Sequence, residues 1–542
     1  MFVRTQTNGD RSYLLVVENV RVRGRIKQRV LQRLGRLDRL RASGQLDSLL
    51  ASLGRFSEKY TVLGAHAAGQ SITTRTHSIG PALIFERLWS ESGIAAVLGA
   101  LAGERHFQFS LERAVFLTVL HRLFSPGSDR AAERWKEQQR IDGAERLELH
   151  QLYRTMAWLG EALPAPGAGA RVRKDVIEEE LFARRRDLFS SIDMVFFDTT
   201  SIYFEGEGGQ TLGENGHSKD HRPDLKQMVV GVVLDNEGRP LCSQFWPGNL
   251  SDVKSLVPVV DRLREHFAVR EVCIVADRGM ISAATIEQIK VRGWCYILGV
   301  RMRRSREANE SVLGRAGRYE EVYAKSPDPK APSPLKVKEV WVEDRRYVVC
   351  LNEDQARKDR HDREAILAAL KGALKQGDKA LIGNRGYRRY LKANGERFSI
   401  DEEKIESEAR LDGKWVLTSN TDLPAKELAL KYKQLWQVEA IFRTMKSVLD
   451  TRPIYHQNDD TIRGHVFCSF LALLLRYELE RRLEEGGIKL EWADVIRDLD
   501  HLQQIEVLIE QKKYLLCTET RGTVAKVFQV CGVALPPTLQ TC

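Results

Sequence analysis

The chain has 542 residues, 43% hydrophobic and 29% charged, and its 84 lysines and arginines outnumber 74 acids to give a formal charge of +10. That length exceeds a single hydrophobic core and implies several domains, while the composition excludes a disordered chain. No stretch reaches the roughly 18–20 uncharged apolar residues of a membrane span, the N-terminus MFVRTQTNGDRSY lacks an apolar signal core, and the eight cysteines include no CxxC pair. A cytoplasmic protein without membrane contact is expected, and the positive balance suits a polyanionic partner.

Residues 11–32, RSYLLVVENVRVRGRIKQRVLQ, read as a basic β-hairpin. Val20, Val22, Ile26 and Val30 supply its apolar positions and Gly24 its turn, while Arg21, Arg23, Arg25, Lys27 and Arg29 crowd one small unit. Such a unit is either an edge protected by charge or a module that contacts phosphates. Residues 80–165 read mostly as helix, LERAVFLTVLHRLF having apolar residues at helical spacing, and LPAPGAGA at 163–170 resembles a linker.

From 190 to 300 the pattern is three strands with short links, then helix, strand, helix and strand. The strands fall at 194–198, 228–234, 241–245, 272–277 and 295–300, and the helices at 253–266 and 282–292. This is the element order of a ribonuclease-H-like mixed sheet. Residues 301–411 interrupt it with SPDPKAPSP at 326–334, a hairpin centred on Glu343 and Asp344, and a helical stretch at 353–376. A return strand at 414–420 and a long helix at 424–450 follow, and 459–542 reads as mainly helical. The expected class is therefore α/β, a ribonuclease-H-like catalytic core interrupted by a β-rich insertion. N-terminal hairpin and helical regions and a C-terminal helical region flank it. The expected boundaries are 1–60, 61–185, 186–300, 301–411, 412–458 and 459–542.

Three acids stand out. Asp198 in MVFFDTTSIYF and Asp277 in VCIVADRGM each follow an apolar run, which predicts that a buried strand presents each at its tip. Glu439 lies on the long helix, in YKQLWQVEAIFRTMK. A lone acid after a strand is more often a turn or helix cap. Three on rigid elements can together hold the two divalent ions that phosphodiester chemistry uses, with Mg2+ preferred and Mn2+ a substitute. Tyr432, Leu435, Arg443 and Lys446 stand at offsets of seven and four residues from Glu439, so one helix face carries a phenol, a carboxylate and two cations. Trp436, Val438, Ile441, Phe442 and Met445 are left to pack inward. The plain alternative is a solvated face with a Glu439–Arg443 ion pair.

The loop GHSKDHRPDLKQ gathers His217, Lys219, His221, Arg222 and Lys226, either beside a DNA backbone or simply in water. Asp220 and Asp224 in the same loop are weaker candidate ligands because a loop holds a carboxylate less rigidly. Arg278, next to Asp277, is placed to reach a phosphate or to pair with an acid. His456 and His465 are expected to cap or pack, and Trp246, Trp341 and Trp436 to lie in cores or stack on a base.

These segments resemble the DDE-type insertion-sequence transposases, in the branch whose third-acid helix carries Tyr-x2-Arg-x3-Glu-x6-Lys. Tyr432, Glu439 and Lys446 match that spacing, whereas Leu435 stands where the pattern has arginine, and Arg443 offers a cation on the same face. FDTTSIYFEGE, GHSKDHRPDLKQ and FWPGNLSD are similar to the same group, so the resemblance spans roughly 195–465. It implies that Asp198, Asp277 and Glu439 bind two metal ions and that Tyr432 and Lys446 hold phosphates near the element's end. The implied reaction is hydrolysis that frees a 3′-hydroxyl, then attack of that hydroxyl on target DNA. Terminal inverted repeats, target DNA and a second copy of the chain are the implied partners. A catalytically silent DNA-binding derivative and a structure-selective nuclease of the same fold are the alternatives. Clustered Cys/His spacing and a GxxxxGK[ST] loop are both missing from the sequence.

Overall fold

The computed structural model describes residues 1–22, 25–54, 73–164, 171–185, 193–267, 269, 272–280, 282–303, 305, 307–326, 328, 331–376, 389–394, 397–509 and 512–541. Two compact units emerge, one from residues 1–84, 137–140 and 489–542, the other from 85–136 and 141–488.

In the first unit β1 (Phe2–Asn8), β2 (Arg11–Val22) and β3 (Arg25–Arg36) form an antiparallel meander. The expected hairpin is therefore β2–β3, joined by β1, and its turn at Gly24 lies outside the described residues. Leu14, Leu15 and Val17 are buried while Ile26, Val30 and Leu31 are exposed, so only part of the sheet has an apolar cover. β4 (Thr73–Ser78) belongs to a second sheet of this unit.

Helices follow at Gly80–Glu91, Ile94–Ala102, Leu111–Phe124, Asp129–Trp135, Leu149–Leu159 and Arg173–Arg185. Residues 165–170 of the expected linker are not among those described.

The second unit is organised by one nine-stranded sheet. Its strands are β5 (Met194–Tyr203), β6 (Gln227–Leu234), β7 (Pro240–Pro247), β8 (Cys273–Ala276), β9 (Cys295–Gly299), β10 (Glu320–Tyr323), β11 (Leu335–Val342) and β12 (Arg345–Leu351). After a separate hairpin of β13 (Leu391–Asn394) and β14 (Arg397–Ile400), β15 (Lys414–Ser419) completes it. The spatial order is β10-β11-β12-β15-β9-β8-β5-β6-β7, with β5, β8 and β9 parallel and every other neighbour antiparallel. Parallel strands need crossovers, and helices Asp252–His266 and Ala283–Val291 supply them.

Side chains alternate along each strand. Val195 and Phe197 of β5, Ile274 and Ala276 of β8, and Tyr296 and Leu298 of β9 share one face with Leu256, Val260 and Leu263 of the crossover helix. At about 25 cal/mol per Å2 such apolar burial dominates this layer. Asp198, next in β5, and Asp277, just past the end of β8, therefore face the other way. Helix Trp436–Ser447 packs on β5 and β6 from that side, and helix Asp459–Glu485, apolar through Val466–Leu475, packs against Leu111–Phe124 and Leu149–Leu159.

Three expectations change. β10, β11 and β12, expected in an insertion over 301–411, extend the core sheet, because β12 pairs along its length with β15, whose other edge pairs with β9. Within that stretch, helix Glu353–Gln376 and β13–β14 gather their own small core around Leu370 and Tyr390. Asp198 lies inside β5 rather than at its tip: β5 runs on to Tyr203 against β6, and it is the parallel neighbour β8 that stops at Ala276. Finally, 459–542, expected as mainly helical, has helices at Asp459–Glu485, Trp492–Asp500 and Val524–Cys531 but also three strands. β16 (Gln503–Ile509) pairs with β4 and with β17 (Lys512–Cys517), and β18 (Leu539–Thr541) pairs with β17. Alternating apolar residues in QQIEVLI and KKYLLC bring Ile505, Val507, Tyr514 and Leu516 together, a strand period rather than a helical one.

Candidate active site

The last parallel pair between β5 and β8 is Phe197–Ala276, and between β8 and β9 it is Ala276–Leu298. One residue further, Asp198, Asp277 and Gly299 form a row at the carboxyl ends of the parallel strands, where open α/β sheets place their sites. Above that row stands the third-acid segment. It was expected as one helix over 424–450 but runs as two, Ala425–Lys433 and Trp436–Ser447. At the junction Gln434 and Leu435 donate their N–H groups to the carbonyls three residues back, a tighter turn than α. Val438, Phe442 and Met445 are buried, and Glu439 keeps the opposite, outward direction.

Asp198, Asp277 and Glu439 line one cavity of about 280 Å3 together with Arg278, Gly299, Tyr432, Leu435 and Trp436. Thus the three acids and two of the predicted DNA contacts, Tyr432 and Arg278, are brought together. The Tyr432 hydroxyl donates to Asp277 Oδ1 at 2.9 Å, and burial followed by the Asp277 carboxylate raises the phenol's pKa. The Thr199 N–H donates to Asp198 Oδ1 at 2.7 Å. Burial, reinforced by Asp277 and Asp252, pushes Asp198 up to about 6 against the opposing pull of Lys219. Among the described residues Glu439 forms no ion pair, and Arg443 is exposed and does not bridge to it, so the solvated-pair alternative for this face is not what forms.

Lys219 takes a different place from the one expected of a DNA contact. Its Nζ donates to the Thr199 carbonyl at 2.7 Å and to Thr199 Oγ1 at 2.9 Å, and lies 3.4 Å from Asp252 Oδ2. Thr199 Oγ1 in turn donates to Asp252 Oδ1 at 2.8 Å. Asp252, the first residue of a helix, is a member of this cluster that sequence reasoning missed. Its signal in the sequence is FWPGNLSD, which ends on Asp252. Arg222 is exposed and holds Asp224 at 2.8 Å. Lys446 is turned inward onto Asp220 at 2.7 Å. Trp436, expected to pack inward, is 61% exposed beside the cavity because, in the helix it opens, it lies opposite the buried stripe of Val438, Phe442 and Met445.

A second group, Asp129, His456 and His465, brings ligand atoms within 4.8 Å of one another. His465 is fully engaged by the protein: its Nδ1 meets an Arg122 guanidinium N–H at 2.9 Å and its Nε2 the Thr451 carbonyl at 3.2 Å. An arginine on the ring nitrogen uses the lone pair a metal needs, so these residues are a polar brace between helices, in line with the packing role expected for them.

The donor set of the cavity fits divalent cations. It holds three carboxylates, one with a pKa raised by burial and, less, by neighbouring acids, and all of its candidate ligands are oxygen. No helix among the described residues is long and apolar enough to cross a membrane.

Residues 190–475 match the family model described as Transposase DDE domain, and residues 2–67 match that of the IS1634 family transposase N-terminal domain. No curated protein matches the chain. Among solved structures, the chain is similar to a cryo-EM structure of a piggyBac transposase synaptic complex with hairpin DNA. The identity is 11% and the TM-score 0.37, over 78% of this chain and 79% of that one.

Proposed function

This chain belongs to the insertion-sequence DDE transposases, and from that premise we propose that it cleaves DNA at the ends of its element and joins the freed 3′-hydroxyl to target DNA. The observation that carries the reading is the shared cavity of Asp198, Asp277 and Glu439, acids that are far apart in the chain.

Asp198 and Asp277 project from the sheet and Glu439 from the helix, and the three would hold a pair of Mg2+ ions, with Mn2+ as a substitute. Bound there, the ions supply Lewis acidity that sharpens an attacking oxygen and stabilises a leaving one. Tyr432 orients Asp277 through its hydrogen bond and presents its ring edge to the bound strand. Arg278 offers a cation to a phosphate at the cavity rim. Arg443, exposed one helical turn beyond Glu439, supplies charge on the face where Leu435 leaves a gap. Lys219, held by Thr199 and Asp252, tempers the negative potential around Asp198 rather than gripping DNA, and Arg222 meets the backbone from the surface. One site serves hydrolysis and strand transfer because both are in-line displacements at phosphorus.

In this reading the sheet through β5, β8 and β9 is a ribonuclease-H-like core. The small lobe of helix Glu353–Gln376 with β13–β14, and the basic meander β1–β3, grip the element's ends. Two copies act on paired ends, in the cytoplasm of a bacterial-type cell.

The test is strand cleavage, with Mg2+, of DNA carrying the terminal repeats that flank the coding region. Asp198→Ala, Asp277→Ala and Glu439→Ala should each abolish product; retention of cleavage by all three defeats the proposal. Covalent joining to a target plasmid separates a transposase from an enzyme that only cuts.

A further inference from the structure

Asp220 is a carboxylate in an unusual setting. Its side chain is only 5% exposed, and two cations converge on one of its oxygens. Lys446 Nζ lies 2.7 Å from Oδ1, and the Arg452 guanidinium engages that same oxygen. Oδ2 is buried and has no hydrogen-bond partner among the described residues. Arginine–carboxylate pairs frequently set the guanidinium fork across both oxygens. Here the second oxygen is desolvated without a donor, which costs free energy.

The backbone next to it is strained as well. His221 has φ 58°, a left-handed conformation that side chains other than glycine's rarely adopt. The segment is pinned on its other side, where the Lys219 N–H donates to Ser201 Oγ at 2.8 Å. A loop held in strain by a two-cation contact on one buried oxygen is poised to give way to a better anion.

We infer that Arg452 adds a second cation to the phosphate contact already expected of Lys446, and that Asp220 occupies this pair as an internal stand-in until DNA displaces it. A phosphodiester carries one negative charge, like the carboxylate, and its two non-bridging oxygens can each meet one cation, whereas here both cations share Oδ1 and Oδ2 meets neither. The location suits a phosphate near the reacting one, because Lys446 lies two helical turns beyond Glu439, about 10 Å at 1.5 Å per residue. A third cation is near: the Arg452 and Arg222 guanidiniums lie 5.7 Å and 5.6 Å from the Tyr203 ring. Arg452 thereby becomes a DNA contact that the helix pattern alone does not include. The inference rests on the DNA-processing reading above.

The experiment measures binding of a short labelled duplex of unrelated sequence by fluorescence anisotropy, in EDTA so that no chemistry intervenes, across a salt titration. Asp220→Asn should tighten binding about 5- to 10-fold by removing the competing charge. Arg452→Gln should weaken it by a similar factor and reduce the slope of log K against log salt by about 1, the value for one lost phosphate contact. Binding by Asp220→Asn that is equal to or weaker than wild type, at an unchanged melting temperature, overturns the inference. So does an unaltered salt slope in Arg452→Gln, which remains decisive if Asp220→Asn does not fold. Wild-type protein that binds no DNA defeats this inference and the parent reading together. Wild-type protein that binds and cleaves while the variants fail to separate defeats this inference alone.

Discussion

Tyr432 and Asp277 meet at 2.9 Å across the end of the parallel strands, and Gly299 is what lets them meet. A Cβ on Gly299 would collide with the Tyr432 hydroxyl and stand 3.0 Å from the Arg278 backbone nitrogen. The absence of a side chain on the last residue of β9 is therefore part of the geometry of an acid on β8.

Tyr432→Phe should lower cleavage about 10-fold with a stability loss of about 1 kcal/mol, the usual worth of one hydrogen bond. Gly299→Ala should lower it further. In the Tyr432→Phe background the added methyl should do less damage, since the hydroxyl it strikes is gone. A double-mutant cycle in single-turnover cleavage measures this, and strict additivity would refute the coupling.

Asp198 burdens the metal-free fold at neutral pH. Its folded pKa, about 6, lies above the ordinary 3.8. The native state therefore binds the proton more tightly, and the associated stability is lost as pH rises from 3.8 through 6. Asp198→Asn should melt higher than wild type in EDTA at pH 7.5, by on the order of 1–3 kcal/mol. Mg2+ should raise the melting temperature of wild type and leave the variant nearly unmoved. A variant that melts lower than wild type in EDTA would contradict the burial and neighbouring acids that raise Asp198.

Two imidazoles make the second unit acid-labile. Burial and the neighbouring Arg122 lower His121 to about 4, and the same two causes lower His465. Between pH 6.5 and 4 the unfolded chain binds more protons than the native one, so stability falls as pH drops through that window. His121→Gln should remove about 2–3 kcal/mol of this dependence, read as a flatter urea midpoint between pH 7 and pH 4.5. Identical slopes for wild type and variant would exclude His121 as a source.

Arg443 is exposed on the Glu439 face. Arg443→Gln should leave the melting temperature within about 0.5 kcal/mol of wild type, as surface substitutions do. It should also weaken DNA binding in a salt-dependent way, by the worth of one phosphate contact. Unchanged binding in low salt would remove Arg443 from the DNA path.

Much of this arrangement was legible from the residues. Apolar runs such as MVFF and CIVA announce buried strands, and the acids that follow them interrupt the pattern visibly. The helical stripe from Tyr432 to Lys446 singled out Glu439, which lines the same cavity as the two aspartates. The end of β8 beside the middle of β5 was not legible, because register is set by pairing between distant segments. Neither was the capture of Lys446 by Asp220, which depends on a loop path with no sequence period. β16 and β17 were read as helix because short apolar runs fit either period until a partner strand is known. The extension of the sheet by β10–β12 was hidden for the same reason.

The position of β15 in the sheet has a consequence for biosynthesis. It inserts between β9 and β12, both made earlier, and Glu439 follows it in the chain. A ribosome reading from the first codon thus finishes both aspartates long before the glutamate exists. Under the proposed chemistry, a product terminated before Glu439 carries an incomplete set of ligands and cannot nick DNA, so the enzyme stays harmless until about four-fifths of it has been translated.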